Sequence, residues 1–85
     1  MSIYRNNFKE YTESGNIDFD DNTNAITFIN KGVASVTINN TITLATNDNL
    51  AIGGNVGEID MTGYRATFAL VGSRSLIVIT KVYVG

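Results

Sequence analysis

The 85-residue chain contains no cysteine, no histidine and no tryptophan. Disulfides and zinc sites, which support many small domains, are therefore excluded, as are catalytic triads that use histidine or cysteine. A chain of this length forms one domain and buries only about two-thirds of its unfolded surface. We therefore expect the missing stability to come from oligomerisation or from docking on a larger body.

The acidic residues offer few alternatives for catalysis or metal binding. Glu58 and Asp60 are two positions apart, but a glycosidase pair needs a sugar-binding groove, and the chain has neither tryptophan nor spare length for one. Residues 18–24 alternate oxygen-bearing side chains as a calcium loop does, yet Thr23 and Ile29 occupy the places of the required Gly and Glu. We expect a turn there, and no catalytic residue, metal or cofactor.

The distribution of charge and apolar residues excludes two further classes of partner. The net charge is −2 and lysine and arginine are not clustered, so we expect no nucleic-acid partner. The longest aliphatic run, residues 76–79, is far too short to span a bilayer, and the first ten residues are too polar for a signal peptide. We expect no membrane association and no export signal.

Strands dominate the expected fold. The chain is rich in Thr, Val, Ile and Asn, and apolar residues alternate with polar ones from residue 16 onward. About seven short strands separated by Asn-rich and Gly-rich turns predict an all-β domain over residues 16–85, a single antiparallel β-sandwich of jelly-roll or immunoglobulin-like type. Residues 1–15 are predicted to form an N-terminal arm, either extended or a short helix.

Two hairpins can be predicted from the alternation. Residues 17–19 and 26–28 flank a turn rich in Asp and Asn. Residues 36–38 and 42–44 flank a second turn, where a three-residue loop with a bulge opposes Ile38 to Ile42 and places the apolar side chains on one face. A turn at residues 72–74 is predicted between the last two strands, residues 64–70 and 75–84.

The last strand is apolar on both of its faces. Ile77, Ile79 and Tyr83 point to one side, where only Lys81 is polar. A strand of this kind is normally covered on both sides. Either a loop or the N-terminal arm covers this second face, or the face is a subunit interface.

The candidate interaction residues are therefore aromatic and aliphatic. We expect the arm to dock on a neighbour, and the last strand to supply the subunit interface. The residues that we predict for these contacts are Tyr4, Phe8 and Tyr11 in the arm, with Ile77, Ile79 and Tyr83 in the last strand.

Four segments resemble a known group of proteins. They are V-T-I-N-N at 36–40, N-L-A-I-G-G-N-V-G-E-I-D at 49–60, T-G-Y-R-A-T-F at 62–68 and L-I-V-I-T-K-V-Y at 76–83. Together they are similar to small structural proteins encoded among the virion genes of tailed bacteriophages, including the crAss-like group. The resemblance spans residues 36–83, a little over half of the chain.

The resemblance implies a β-sandwich capsid auxiliary, decoration or head-fibre subunit, present in many symmetric copies on a lattice of major capsid protein. It implies no catalytic residue, and it implies location in the virion, assembled in the host cytoplasm. We therefore expect a non-enzymatic virion subunit that binds the major capsid protein or other virion proteins as a homo-oligomer. The alternative is a carbohydrate-binding module on a phage fibre or host-contact appendage.

Overall fold

The computed structural model describes residues 3–84, which form eight β-strands and no helix. In chain order the strands are β1 (Tyr4–Tyr11), β2 (Gly15–Ile17), β3 (Thr23–Asn30), β4 (Val36–Ile38), β5 (Ile42–Leu44), β6 (Asn49–Gly53), β7 (Tyr64–Phe68) and β8 (Leu76–Tyr83). The all-β prediction is therefore confirmed. The strands number eight where about seven were expected, and the additional strand is β1.

The strands form two four-stranded sheets in which every neighbouring pair is antiparallel. The sheet that we call the long sheet has the order β1-β8-β3-β6, and the short sheet has the order β2-β7-β4-β5. One apolar core draws on both sheets, since it contains Phe28 and Val78 of the long sheet and Val36 and Phe68 of the short sheet.

The alternation of the sequence explains which side chains reach this core. In β3, Ile26 and Phe28 are fully buried, and the alternate residues Ala25, Thr27 and Ile29 are only half-buried. In β8, Leu76 and Val78 are buried in the same alternating way. Because successive side chains of a strand point to opposite faces, both strands turn one face to the core and the other away from it.

The N-terminal segment belongs to the long sheet. It was predicted as an arm, residues 1–15, outside the sandwich at 16–85. Instead, residues 4–11 form β1, which pairs with β8 at eight consecutive positions, and residues 15–17 form β2. The helical alternative for the arm is wrong. Tyr4, Phe8 and Tyr11 are spaced as on one face of a helix, but pairing with β8 holds residues 4–11 in a strand. Residues 1 and 2 lie outside the described part of the chain.

The hairpin of β4 and β5 is confirmed with its register. Ile38 lies opposite Ile42, and Val36 lies opposite Leu44. The loop has three residues, of which Asn39 and Asn40 have positive φ, a conformation that asparagine tolerates better than most residues. The pairing continues without a register shift, so the expected bulge is not found in this pair of strands.

The other predicted hairpin, of residues 17–19 with residues 26–28, is wrong. β2 pairs with β7 in the short sheet, whereas β3 lies in the long sheet, so the turn between them crosses from one layer to the other. The same holds for β7 and β8, whose connection contains the predicted turn at 72–74. Alternation identifies the buried face of a strand but not its neighbour, and strands of either sheet face the same core.

Candidate interaction surface

The surface of the long sheet that points away from the core is the candidate interaction surface, and we call it the outer face. The strand register sets its side chains in rows that cross the sheet. The central row is the most apolar, and it runs through Phe8, Ile79, Thr27 and Ala51. The row beside it runs through Glu10, Ile77, Ile29 and Asn49, and the row on the other side through Asn6, Lys81, Ala25 and Gly53.

The outer face brings together five of the six residues that the sequence predicts for interaction. Tyr4 lies directly opposite Tyr83 across the β1–β8 pair, and Phe8 lies opposite Ile79. Ile77 occupies the same face of β8 as Ile79, two positions away. Residues from two predicted elements, the arm and the last strand, therefore form one continuous surface.

Aromatic rings are the most exposed apolar groups on the outer face. Phe8 is 70% exposed and Tyr4 is 52% exposed, whereas Ile77 and Ile79 are half-buried. The strand register places two charged side chains on this face, and both already have partners. Glu10 accepts a hydrogen bond from the Ser75 hydroxyl at 2.6 Å, and the Lys81 ammonium lies 4.2 Å from the centre of the Tyr4 ring. Neither contact neutralises the charge, but both side chains lie outside the central row. An apolar partner can therefore cover Phe8 and Ile79 while Glu10 and Lys81 stay in water.

Tyr11, the sixth predicted residue, lies on the opposite face of β1. Its register partner is Leu76, which is buried, and its ring packs against the core. The Tyr11 hydroxyl accepts a hydrogen bond from the Asp18 amide at 3.0 Å and donates one to the Asp18 carbonyl at 3.2 Å. Tyr11 therefore holds β1 against the chain that follows β2, and the structure does not bring it to the outer face.

The glycine-rich loop between β6 and β7 borders one end of the outer face. The Gly57 amide donates a hydrogen bond to the Tyr83 hydroxyl at 3.1 Å. The buried side chain of Asn24 donates from its Nδ2 to the carbonyls of Asn55 and Glu58, each at 2.7 Å. Gly53 begins the loop with φ of 81°, where an added Cβ would lie 2.6 Å from the Asn24 carbonyl oxygen. Backbone geometry therefore requires glycine there.

A depression of about 300 Å³ lies under this loop, and it is lined by Asp60, whose carboxylate accepts two hydrogen bonds. The Tyr64 hydroxyl donates to Asp60 Oδ2 at 2.6 Å, and the Thr62 amide donates to Asp60 Oδ1 at 2.9 Å. Partial burial raises the pKa of Asp60, but these hydrogen bonds outweigh it and lower the pKa overall. Burial and the neighbouring carboxylate together raise the pKa of Tyr64 to about 12. A tyrosine with this pKa stays protonated at neutral pH and is unsuited to act as a general base.

The Asp60–Tyr64 pair leads to a prediction about alkaline unfolding. The folded state raises the pKa of Tyr64 above its ordinary value of 10.0, so this stabilisation is complete below pH 10 and is lost as the pH rises toward 12. We expect Tyr64→Phe to be about 1 kcal/mol less stable than the parent at pH 7, because one hydrogen bond is lost. Urea unfolding at pH 7 to 12 should show this difference shrinking above pH 10. Two curves that stay parallel would show that the pair is not coupled to folding.

Sequence reasoning missed a second exposed apolar group at the far end of the molecule. Val33, Leu70 and Val71 are 71%, 93% and 84% exposed, and their two loops are joined where the Ala34 amide donates to the Ser73 carbonyl at 2.9 Å. The predicted strand ran to Leu70, but β7 ends at Phe68. The sequence signal that could have indicated this exposed loop is Gly72, because a glycine directly after a short apolar run is typical of a loop.

The segment at residues 18–24, whose oxygen-bearing side chains alternate as in a calcium loop, contains the turn that the sequence predicts. In the turn before β3, Asp20 accepts hydrogen bonds from the Asn22 amide at its Oδ1 and from the Thr23 hydroxyl at its carbonyl. Within residues 3–84 no group of three or more acidic residues is arranged to hold a metal ion. The same residues include no helix long and apolar enough to cross a membrane.

Comparisons of the chain with protein-family models, with curated proteins and with solved structures found no match.

Proposed function

We propose that this protein is a non-enzymatic structural subunit of a virion, a capsid auxiliary, decoration or connector protein that assembles as a homo-multimer and binds the major capsid protein or another virion protein through its outer face. The placement of Tyr4, Phe8, Ile77, Ile79 and Tyr83 on one exposed sheet face supports this proposal. The two packed sheets fit the β-sandwich of jelly-roll or immunoglobulin-like type that we propose for the fold. The virion assignment rests on the resemblance of residues 36–83 to phage structural proteins.

The energetics of a small domain favour a role in assembly for this surface. The domain has neither a disulfide nor a described metal site, and it leaves apolar rings in water on the outer face. Exposed apolar patches on small soluble domains mark interaction sites, since covering them with a partner recovers about 25 cal/mol for each Å² removed from water. Assembly thereby supplies stabilisation that the small core lacks.

The test of the proposed interface is the substitution Ile79→Asp. Ile79 lies in the centre of the apolar row, so an aspartate there places an unpaired carboxylate in the buried contact. We expect the multimer to weaken by about 100-fold or more, because leaving a charge desolvated costs several kcal/mol. Size-exclusion chromatography with light scattering at micromolar concentration measures this change.

Thr67→Asp is the matched control. Thr67 is an exposed position on β7, on the outward side of the short sheet, so it adds the same charge away from the outer face. A multimer that survives Ile79→Asp as well as it survives Thr67→Asp would remove the outer face from the proposal. For the virion assignment, adjacent portal, terminase or capsid genes are the expected genomic neighbours.

The carbohydrate-binding alternative has one specific observation in its favour. The exposed rings of Tyr4 and Phe8 lie on the same face of β1 as Asn6, an arrangement in which rings stack on sugars and an amide bonds their hydroxyls. This function predicts a monomer that binds on a glycan array and loses binding in Phe8→Ala. A tight multimer without glycan binding favours the structural role.

A further inference from the structure

β1 is the longest strand with a free edge among residues 3–84. It pairs with β8 on one side only, over eight positions, whereas the other edge strands, β2, β5 and β6, have three, three and five residues. Proteins usually protect such an edge with a proline, a bulge or a short strand. The chain has no proline, and the β1–β8 register continues without a shift.

The backbone of β1 offers its free hydrogen-bonding groups at defined positions. The Val84 amide donates to the Ile3 carbonyl at 2.8 Å, so Ile3 and Val84 form a hydrogen-bonded pair. Hydrogen-bonded and non-bonded pairs alternate along an antiparallel ladder. The odd-numbered residues of β1 therefore bond β8, and the even-numbered residues direct their amides and carbonyls to the free edge. The even-numbered residues are Tyr4, Asn6, Phe8 and Glu10.

Two of the three charged side chains of β1, Lys9 and Glu10, contact the protein's own body. The Lys9 ammonium lies 4.0 Å from Asp18 Oδ2 and 5.1 Å from the centre of the Tyr11 ring. Glu10 accepts the hydrogen bond from Ser75 described above. Lysine at an edge normally discourages pairing with another strand. Here Lys9 lies on the same face of β1 as Tyr11 and contacts Asp18, so its charge is turned away from the outer face although the side chain is exposed.

We propose that two copies of the chain join edge to edge through β1, antiparallel about a two-fold axis at Phe8, to form one eight-stranded sheet. This inference rests on the proposed function for its purpose, but its geometry comes from β1 alone. A two-fold axis perpendicular to the sheet pairs even-numbered residues with even-numbered ones, which matches the free backbone groups. Phe8 then faces Phe8 of the second copy, and about six backbone hydrogen bonds form across the edge.

Charge selects this register from the neighbouring one. Centring the axis on Phe8 places Asn6 opposite Glu10, Asn7 opposite Lys9 and Arg5 opposite Tyr11, so no like charges meet. Centring it on Asn7 would place Arg5 directly opposite Lys9, and like charges in that position are destabilising. The Phe8-centred register also covers the most exposed aromatic ring of the outer face.

The dimer would give the outer face a new property. A two-fold axis perpendicular to the sheet places the outer faces of both copies on the same side, with the apolar row from one Ile79 to the other continuous through the two Phe8 rings. One flat partner surface can then engage both copies at once, and the second contact becomes intramolecular. A lattice of identical proteins is the kind of partner that presents its binding sites in this repeated way.

Single-cysteine variants test the register directly, because the native chain has no cysteine. In the proposed dimer the two residues at position 8 form a hydrogen-bonded pair with Cα atoms about 5.5 Å apart, within the range of a disulfide. The two residues at position 6 lie about 14 Å apart along the strands, too far for a disulfide. We expect Phe8→Cys to form a covalent dimer under mild oxidation at least ten times faster than Asn6→Cys, measured on non-reducing gels. Equal rates, or faster reaction of Asn6→Cys, would overturn the proposal.

A second pair of variants leaves the Phe8 ring in place. Asn6→Pro removes an amide that faces the free edge and leaves the hydrogen bonds of β1 to β8 intact, whereas Asn6→Ala keeps the amide. We expect light scattering to show Asn6→Ala pairing as the parent does and Asn6→Pro losing the edge contact, with circular dichroism unchanged in both. Edge pairing that survives Asn6→Pro would overturn the proposal.

The double variant Phe8→Cys with Ile79→Asp separates this proposal from the proposed function. A double variant that still forms the disulfide-linked dimer but assembles no further supports both proposals, since the edge and the face then act independently. Multimers that persist without any preferential disulfide would reject the edge contact. A disulfide-linked dimer whose further assembly is unaffected by Ile79→Asp would reject only the proposed face.

Discussion

Asn30→Ala should destabilise the protein by about 3 kcal/mol or more, which is a large part of the 5–15 kcal/mol that holds a typical domain folded. Asn30 ends β3 and is fully buried. Its Nδ2 donates to the carbonyls of Ala34 and Leu44 at 3.0 and 2.9 Å, and its Oδ1 accepts from the Gly32 amide at 3.0 Å. One side chain thus connects the loop after β3 to the end of β5.

The expected loss is large because alanine removes three buried hydrogen bonds at once. The carbonyls of Ala34 and Leu44 lose the Asn30 donor, and the Gly32 amide keeps only its longer bond to the Ser75 carbonyl, at 3.2 Å. Each unsatisfied buried group costs about 1–3 kcal/mol. Bulk water reaches these groups poorly, since Gly32, Ala34 and Leu44 are all buried. Urea denaturation followed by circular dichroism should show an earlier midpoint for Asn30→Ala, with a similar slope.

Asn24→Ala provides the matched control at the other end of β3. Asn24 is also buried and donates two hydrogen bonds to carbonyls, but its Oδ1 has no partner among residues 3–84 and its acceptors belong to exposed loop residues. Water can reach those carbonyls when the side chain is removed, so we expect a loss of about 1–2 kcal/mol. Equal losses for the two variants would show that exposure of the loop residues does not determine the cost.

These two asparagines illustrate what the sequence could not reveal about the fold. The alternation predicted the buried faces of β3 and β8 and the register of Ile38 against Ile42, because those features follow from apolar spacing over a few residues. From the sequence alone, Asn30 is only a polar residue at the end of the same alternating pattern, before a loop. Its partners at residues 34 and 44 become close only after the sheets assemble, so its role depends on non-local geometry.

The candidate surface was predictable in part for the same reason. The apolar second face of β8 could be recognised from Ile77, Ile79 and Tyr83 alone. The contribution of Tyr4 and Phe8 could not be placed, because their spacing, like that of Tyr11, also fits a helix and only pairing with β8 puts them beside those residues. Pairing also separates Tyr11 from Tyr4 and Phe8. Successive side chains of a strand alternate between its two faces, so residues an odd number of positions apart lie on opposite faces.

Two phenylalanines on two strands of the long sheet should separate folding from assembly. Phe28 is fully buried, and its ring centre lies 5.5 Å from that of Tyr64, which in turn lies 5.7 Å from that of Phe19. Phe28→Ala removes this ring from the middle of the core and leaves a cavity, so we expect a loss of about 3–5 kcal/mol. For a domain of this size that lowers the melting temperature by about 15–30 °C in calorimetry.

Phe8→Ala should behave in the opposite way, because the side chain of Phe8 is mostly in water. We expect its stability to change by about 1 kcal/mol or less, since little packed surface is lost, while assembly weakens as the outer face and the free edge lose their most exposed ring. Calorimetry and light scattering on the same two samples measure both properties. If Phe8→Ala melted as early as Phe28→Ala, the ring would be supporting the fold of each protomer, and the outer face could not be treated as a surface kept for a partner.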